Sequence, residues 1–121
     1  MSAPAVRHNF EWEDAGGIAV VRFTNKVLRD DRIIRTLFDQ LDEQLIAAGR
    51  TRIVMNFGGL EAFASYAIGR LIALNDRLPH QGGRLALCHL APMVGEIIDI
   101  MKLRKRFNIY DTEHDALESF A

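Results

Sequence analysis

Residues 53–71 read IVMNFGGLEAFASYAIGRL and carry the strongest structural signal in the chain. The first part is apolar and rich in β-branched side chains, which predicts a buried strand. Two glycines then indicate a loop, and the apolar residues that follow Ser65 recur every three or four positions, as in a helix. The stretch therefore predicts a strand, a loop and a helix, with Ser65 in the first helical turn or at its cap.

Ser65 stands where the backbone N–H groups of a helix lack internal partners and the helix dipole favours negative charge. An anion, including a phosphate carried by the serine itself, fits such a position. Serine is also one of the most common N-cap residues. The residues alone leave both interpretations open.

The helix that follows has two different faces at about 100° per residue. We assign one arc to the core: Ala67, Ile68, Leu71, Ile72, Leu74, Asn75 and Leu78. The opposite arc carries Tyr66, Gly69, Arg70, Ala73, Asp76 and Arg77. Glycine costs a helix about 1 kcal/mol relative to alanine, so Gly69 favours a closely packed partner, and Tyr and Arg commonly anchor interfaces. A glycine that only tolerates a tight loop is the alternative.

The residues before this stretch predict a hairpin and a helix. Residues 10–13 alternate in polarity, residues 14–17 form a turn signal and Ile18–Phe23 is β-branched, which together indicate two antiparallel strands. Asp30 or Asp31 can cap a helix that Gly49 ends. Its apolar stripe consists of Ile33, Ile34, Leu37, Phe38, Leu41, Leu45 and Ile46.

The residues after it predict two further strands and two helices. Residues 84–89 and 107–110 are expected to be extended, and Pro92 suits the first position of a helix. That helix is expected to turn Met93, Val94, Ile97, Ile98 and Met101 inward. A capping box at residues 112–115 predicts a terminal helix through Phe120.

The resulting order is β-β-α-β-α-β-α-β-α, which predicts an α/β fold with a mixed sheet and right-handed crossovers. The 121 residues suit a single domain, 1–121, with residues 1–9 expected to be flexible. Nothing in the composition or repeats divides the chain.

Composition excludes several classes of function. Fifteen basic and sixteen acidic side chains disfavour a nucleic-acid partner, which normally requires a basic domain. A single cysteine, Cys88, cannot form an internal disulfide and suits a reducing compartment. Residues 1–9 lack a signal-peptide core, and no apolar run is long enough to enter a membrane. We therefore expect a cytoplasmic protein without membrane insertion.

No pattern in the chain indicates catalysis. Glu61 is the only acid in the loop after the central strand, so no general acid/base pair is apparent. The four histidines lack metal-ligand spacing, and Gly58-Gly59 lacks the further residues of a nucleotide-binding motif. We predict no catalytic, metal-binding or cofactor-binding residues and expect that the protein is not an enzyme.

Several stretches of the sequence resemble those of the STAS domain, the family of anti-sigma factor antagonists and sulfate-transporter tails. Residues 64–69 (ASYAIG) stand where family members carry Asp-Ser-Ser-Gly-Leu-Gly, and residues 82–87, 90–94 and 97–111 are similar to the family's later elements. Asn56 stands at the usual strand-end Asp, and Ala64 and Tyr66 replace motif residues. Ser65 occupies the position of the phosphoacceptor.

The resemblance implies a STAS-like switch that binds and inhibits an anti-sigma factor with a serine kinase domain. Phosphorylation of Ser65 by that kinase would end the interaction, and a phosphatase would restore it. In the family this region docks the partner, so the expected contact residues are Tyr66, Gly69, Arg70 and Ala73, with Glu61 in the loop. The chain would need no cofactor, since the kinase supplies ATP and Mg²⁺.

Two alternatives remain open. One is a STAS-like scaffold or transporter regulatory subunit that does not depend on phosphate, which the missing carboxylate at Ala64 favours. The other is a small ligand-binding protein or enzyme that uses the loop at residues 58–65. The sequence also leaves self-association undecided.

Overall fold

The computed structural model describes residues 9–121, which form seven strands and four α-helices. In chain order they are β1 (Phe10–Ala15), β2 (Ile18–Phe23), β3 (Val27–Leu28), α1 (Asp31–Leu41), β4 (Arg52–Asn56), β5 (Ala62–Phe63), α2 (Ser65–Arg77), β6 (Arg84–Cys88), α3 (Pro92–Ile100), β7 (Asn108–Tyr110) and α4 (Glu113–Glu118). A π-helical segment, Asp42–Ile46, continues α1, and a 3₁₀ turn, Leu78–Gln81, continues α2.

Five strands form one mixed sheet in the order β1-β2-β4-β6-β7. β1 pairs with β2 in antiparallel fashion, and the other neighbours are parallel. The predicted α/β architecture with a mixed sheet is confirmed. The sequence did not predict β3 and β5, which pair with each other in a separate two-stranded ladder.

The helices cover the sheet unequally. Side chains of α1, α2 and α3 pack with one face of the sheet in the main core, which includes Ile34, Leu71 and Ile98. α4 covers the other face, where Ala116 packs with Val20, Val54 and Ala86. Since side chains alternate along a strand, the central strands serve both cores and are almost wholly apolar.

The predicted helix signals operate as expected. The Asp30 carboxylate accepts a hydrogen bond from the Arg32 amide at 2.8 Å, and the Thr112 hydroxyl accepts one from the Asp115 amide at 3.1 Å. Pro92 is the first residue of α3, and Gly49 has a φ of +83° where the chain leaves the helical segment. These local signals determine where the helices begin and end.

Three apolar side chains were assigned wrongly to the interior. Met93 and Met101 are 54% and 44% exposed, and Ile33 is 41% exposed. α3 faces the core through Val94 and Ile98, so Met93 lies about 100° around the helix from Val94, and Met101 follows the helix end. Residues 1–9 are expected to be flexible, and of these only Asn9 lies in the described part of the chain.

Candidate functional site

Ser65 is the first residue of α2 and is exposed at the carboxyl edge of the parallel strands. The N-cap is Ala64, in an extended conformation with φ −75° and ψ 153°. The prediction of Ser65 in the first helical turn is confirmed, whereas its interpretation as the N-cap is wrong. Alanine offers no side-chain acceptor, so the first turn of α2 lacks the side-chain cap that Asp30 and Thr112 give to α1 and α4.

The loop that leads to this serine, residues 57–64, is here called the Ser65 loop. Backbone hydrogen bonds attach it to the segment between β2 and α1. The amides of Glu61 and Ala62 both donate to the Lys26 carbonyl, at 2.7 and 3.3 Å, and the Ala64 amide donates to Leu28 at 2.9 Å. Within the loop, the side chains of Leu60 and Phe63 are buried. The short β3–β5 ladder therefore ties the residue before Ser65 to the rest of the fold.

The four predicted contact residues of α2 share its outer face, which we call the docking face: Tyr66, Gly69, Arg70 and Ala73. Gly69 and Ala73 are exposed, and Tyr66 and Arg70 are half-buried. A Cβ atom built on Gly69 would meet no atom outside its own helix backbone within 4 Å. Neither the packing of the described residues nor a positive φ requires glycine here.

At the edge of this face, Arg70 is held by contacts to residues of α1 and of its own helix, α2. Its guanidinium lies 5.3 Å from the centre of the Phe38 ring and donates to the Asp39 carboxylate at 3.3 Å. It also reaches the Tyr66 hydroxyl at 3.5 Å. Hydrogen bonds from Arg70 and Arg35 lower the pKa of Tyr66 below its ordinary value. The docking face thus borders α1 and carries fixed positive charge near its tyrosine.

Glu61 lies apart from the residues of α2. It is exposed in the Ser65 loop, where its backbone amide is one of the two that bind the Lys26 carbonyl. The structure therefore brings Tyr66, Gly69, Arg70 and Ala73 together on one helix and places Glu61 in the preceding loop.

The structure also brings to the end of β4, directly before the Ser65 loop, an acid that sequence reasoning missed. Glu113, at the start of α4, accepts a hydrogen bond from the Asn56 side chain at 3.0 Å. The only sequence signals were the amide at the strand end and the predicted capping box, and neither shows that the two are close. Burial would raise the pKa of Glu113, but hydrogen bonds from Asn56 and Arg22 outweigh it and lower the pKa, which makes this carboxylate a weak general base.

Two kinds of feature are absent from residues 9–121, a metal-binding cluster and a membrane-spanning helix. In this part of the chain no group of three His, Cys, Asp or Glu side chains is arranged to hold a metal ion. No helix among the same residues is both long and apolar enough to cross a membrane.

The fold is that of a STAS domain. The family model described as the STAS domain matches residues 9–116, and the chain belongs to this family.

Known proteins similar to this chain carry related descriptions. This chain is 27% identical over 107 residues to the anti-sigma F factor antagonist of Paenibacillus polymyxa, and the match covers 88% of this chain and 90% of that protein. The crystal structure of protein TM1081 from Thermotoga maritima is similar with a TM-score of 0.81 and 19% identity, over 93% of this chain and 94% of that one. The phosphorylated form of the Bacillus cell fate determinant SpoIIAA is similar with a TM-score of 0.69 and 19% identity, over 93% and 99% of the two chains. At these identities the structures establish a shared fold.

Proposed function

We propose that this chain is a cytoplasmic anti-sigma factor antagonist that binds its partner through the Ser65 loop and the docking face. The observation that carries the proposal is Gly69, whose position is open to solvent on the described surface although glycine weakens a helix. A partner backbone or side chain packed against this flat strip would explain the residue. The names of the relatives and the family membership support the same assignment.

The proposed partner is an anti-sigma factor with a serine kinase domain, and Ser65 is its substrate. Ser65 is exposed, and Ala64 leaves the first turn of α2 without a side-chain cap. A phosphate on Ser65 would add a charge of about −1.5 to −2 beside helix N–H groups that favour an anion. The fold is therefore expected to tolerate phosphorylation.

The same phosphate would oppose complex formation. Ser65 directly precedes Tyr66 of the docking face, so a bound partner would have to desolvate the phosphate. We propose that phosphorylation by the kinase ends the complex and that a phosphatase restores it. The chain itself then acts as a binding protein, without a catalytic residue or a cofactor of its own.

Mass spectrometry after incubation with a candidate kinase and ATP tests the role of Ser65. We expect phosphate at Ser65 in the wild-type chain and none in Ser65→Ala. Ser65→Ala should bind the kinase, whereas Ser65→Asp should bind poorly, although a carboxylate mimics phosphate incompletely. Absence of modification, with equal binding by both variants, would favour the second candidate.

That second candidate is a STAS scaffold or transporter regulatory subunit whose binding does not depend on phosphate. Ala64 favours it, because the resemblance places an acid before the phosphorylated serine and the N-cap here carries no carboxylate. Both candidates use the same docking face. They differ in whether the charge on Ser65 changes the affinity for the partner.

A further inference from the structure

The Asn56 side chain connects the Ser65 loop to α4 through both ends of its amide. Oδ1 accepts a hydrogen bond from the Gly58 amide at 2.8 Å, and Nδ2 donates to Oε1 of Glu113 at 3.0 Å. An asparagine can accept and donate at once, whereas an ionised aspartate can only accept. The two neighbours of Asn56 require one acceptor and one donor, so they match an amide.

Glu113 is held in its place by two other parts of the chain as well. Nη2 of Arg22, on β2, lies 2.9 Å from each carboxylate oxygen, and the Glu113 amide donates to Nε2 of His89 at 3.2 Å. Glu113 is also the first residue of α4, where a helix favours negative charge. Arg22 is shared with Glu13 at 2.9 Å, so the group carries two carboxylates and one guanidinium.

A second carboxylate at position 56 would disturb this arrangement. It would stand at hydrogen-bond distance from Glu113, and two carboxylates that close cannot both remain ionised without cost. Glu113 would also lose the hydrogen bond that Nδ2 of Asn56 now donates to it. The identity of residue 56 is therefore coupled to the identity of residue 113, although 57 positions separate them.

The Asn56 contact lies at the point where the Ser65 loop leaves β4. The far end of the loop is held by backbone bonds to Lys26 and Leu28, and Gly58 is held by Asn56. A Cβ on Gly58 would lie 3.0 Å from Oδ1 of Asn56, which shows how closely the backbone approaches this side chain. The loop is therefore held at both ends, and the two attachments together determine the path of its backbone.

We propose that Asn56 and Glu113 act as a pair of positioning residues that hold the Ser65 loop in its binding-competent conformation. The effect on the loop is independent of any partner, whereas the effect on binding rests on the proposed function. Loss of the pair releases Gly58 and lets the loop sample other conformations. A partner that recognises the present conformation then binds a smaller fraction of the molecules.

Hydrogen exchange and partner binding together test this pair in four variants. Asn56→Asp and Asn56→Ala should both speed amide exchange in residues 57–64, with exchange in β2 and β6 unchanged. The partner's Kd should rise roughly tenfold, as expected for coupled neighbours in one network. Asn56→Asp combined with Glu113→Gln returns one carboxylate and one amide to the site, so it should restore slow exchange and affinity. Asp14→Asn, which breaks the exposed Arg50–Asp14 pair at the opposite edge of the sheet, is the control and should change neither.

The outcomes separate the two parts of the proposal. Unchanged loop exchange in Asn56→Ala, or failure of the double variant to restore what Asn56→Asp lost, would overturn the pair as positioning residues. Faster loop exchange with unaltered affinity would overturn its link to binding. If the wild-type chain binds no anti-sigma factor, the proposed function fails, and the exchange data still decide whether the pair holds the loop. Should Asn56→Asp not fold, Asn56→Ala carries the same test.

Discussion

Arg70 of α2 reaches Asp39 of α1, with Nη2 of the guanidinium 3.3 Å from the carboxylate oxygen. The same guanidinium lies over the Phe38 ring, so its plane and charge are held at the border between the two helices. Gly69 lies beside it without a side chain, and Tyr66 lies one turn earlier. The result is an ordered cation next to an open strip, an arrangement that suits protein recognition.

We expect substitutions of Arg70 to affect binding more than folding. Its ion pair with Asp39 is partly exposed, with side-chain exposures of 27% and 57%, and pairs open to solvent contribute about 0–1 kcal/mol to stability. Arg70→Ala should therefore shift the denaturation midpoint only slightly while weakening partner binding by roughly 2 kcal/mol, as interface arginines commonly do. Arg70→Lys should recover little, because an ammonium lacks the planar group that stacks on Phe38.

Arg77→Ala is the matched control for Arg70. Arg77 also joins α2 to a neighbouring helical segment, through an ion pair with Asp42 at the start of the π-helical segment that continues α1, but it lies about two turns farther from Ser65. Calorimetric titration of both variants with the partner distinguishes the two positions. Equal losses of affinity would contradict the assignment of the docking face to residues 66–73 of α2.

Gly69 offers a substitution that separates stability from binding. Gly69→Ala should raise the free energy of unfolding by about 0.5–1 kcal/mol, because alanine favours the helix and its Cβ meets no neighbouring atom. Gly69→Arg should not lower thermal stability, because arginine also favours a helix over glycine, and it should abolish partner binding by filling the strip. Urea denaturation and calorimetric titration measure the two effects.

Gly95→Ala on α3 is the control for this glycine. A Cβ there would lie 3.5 Å from the Arg104 guanidinium, an ordinary contact, so it should stabilise the helix and leave binding intact. Unfolding of Gly69→Arg would show instead that the strip packs inside the protein.

Ala64→Asp should stabilise the protein by supplying the side-chain cap that α2 lacks. Replacing alanine by a capping residue at an N-cap contributes about 0.5–2 kcal/mol, and a carboxylate also favours the positive end of the helix. The gain should disappear at a pH low enough to protonate the new aspartate. Denaturation curves at neutral and acidic pH provide the measurement.

Ala91→Asp makes the matched change at α3, where alanine is also the N-cap without a side-chain hydrogen bond. Similar stabilisation in both variants would attribute the effect to capping alone. A loss of stability in Ala64→Asp would contradict the free first turn described at Ser65.

Glu113 should make stability depend on pH in the acidic range. Its pKa lies below the ordinary value of 4.5, because hydrogen bonds from Asn56 and Arg22 outweigh the effect of burial. A lowered folded-state pKa gives stability that is present above the ordinary pKa and is lost as the pH falls through the folded-state pKa. Unfolding measured from pH 7 to pH 2 should therefore show a steeper acid loss in the wild type than in Glu113→Gln.

The exposed pair of Asp99 with Arg104 provides the comparison for that titration. The hydrogen bond from Arg104 also lowers the pKa of Asp99, but both side chains are about half exposed. Solvent screens such a pair, so Asp99→Asn should change the pH profile less than Glu113→Gln does. Identical profiles for the wild type and Glu113→Gln would show that the carboxylate gains nothing from folding.

Much of the fold was predictable because its signals are local. The alternation of the hairpin, the apolar run of β4 and the helical spacing after Ser65 depend only on neighbouring residues. The two-residue strands β3 and β5 were missed because so short a segment carries no measurable period. Met93 was misplaced because periodicity alone does not show which arc of a short helix meets the sheet.

The sequence by itself determined the order of the five strands of the main sheet and the four helices, a cap at Asp30 or Asp31, a cap at Thr112, and a place for Ser65 in the first turn of α2 or at its cap. Each of these follows from backbone preferences and side-chain spacing within a few residues. Only the tertiary structure decided that Asn56 contacts Glu113, that Arg22 binds the same carboxylate from 91 residues away, and that Arg70 reaches Asp39. Those contacts depend on which strands become neighbours and which helix covers each face of the sheet, and the burial of the whole chain determines both.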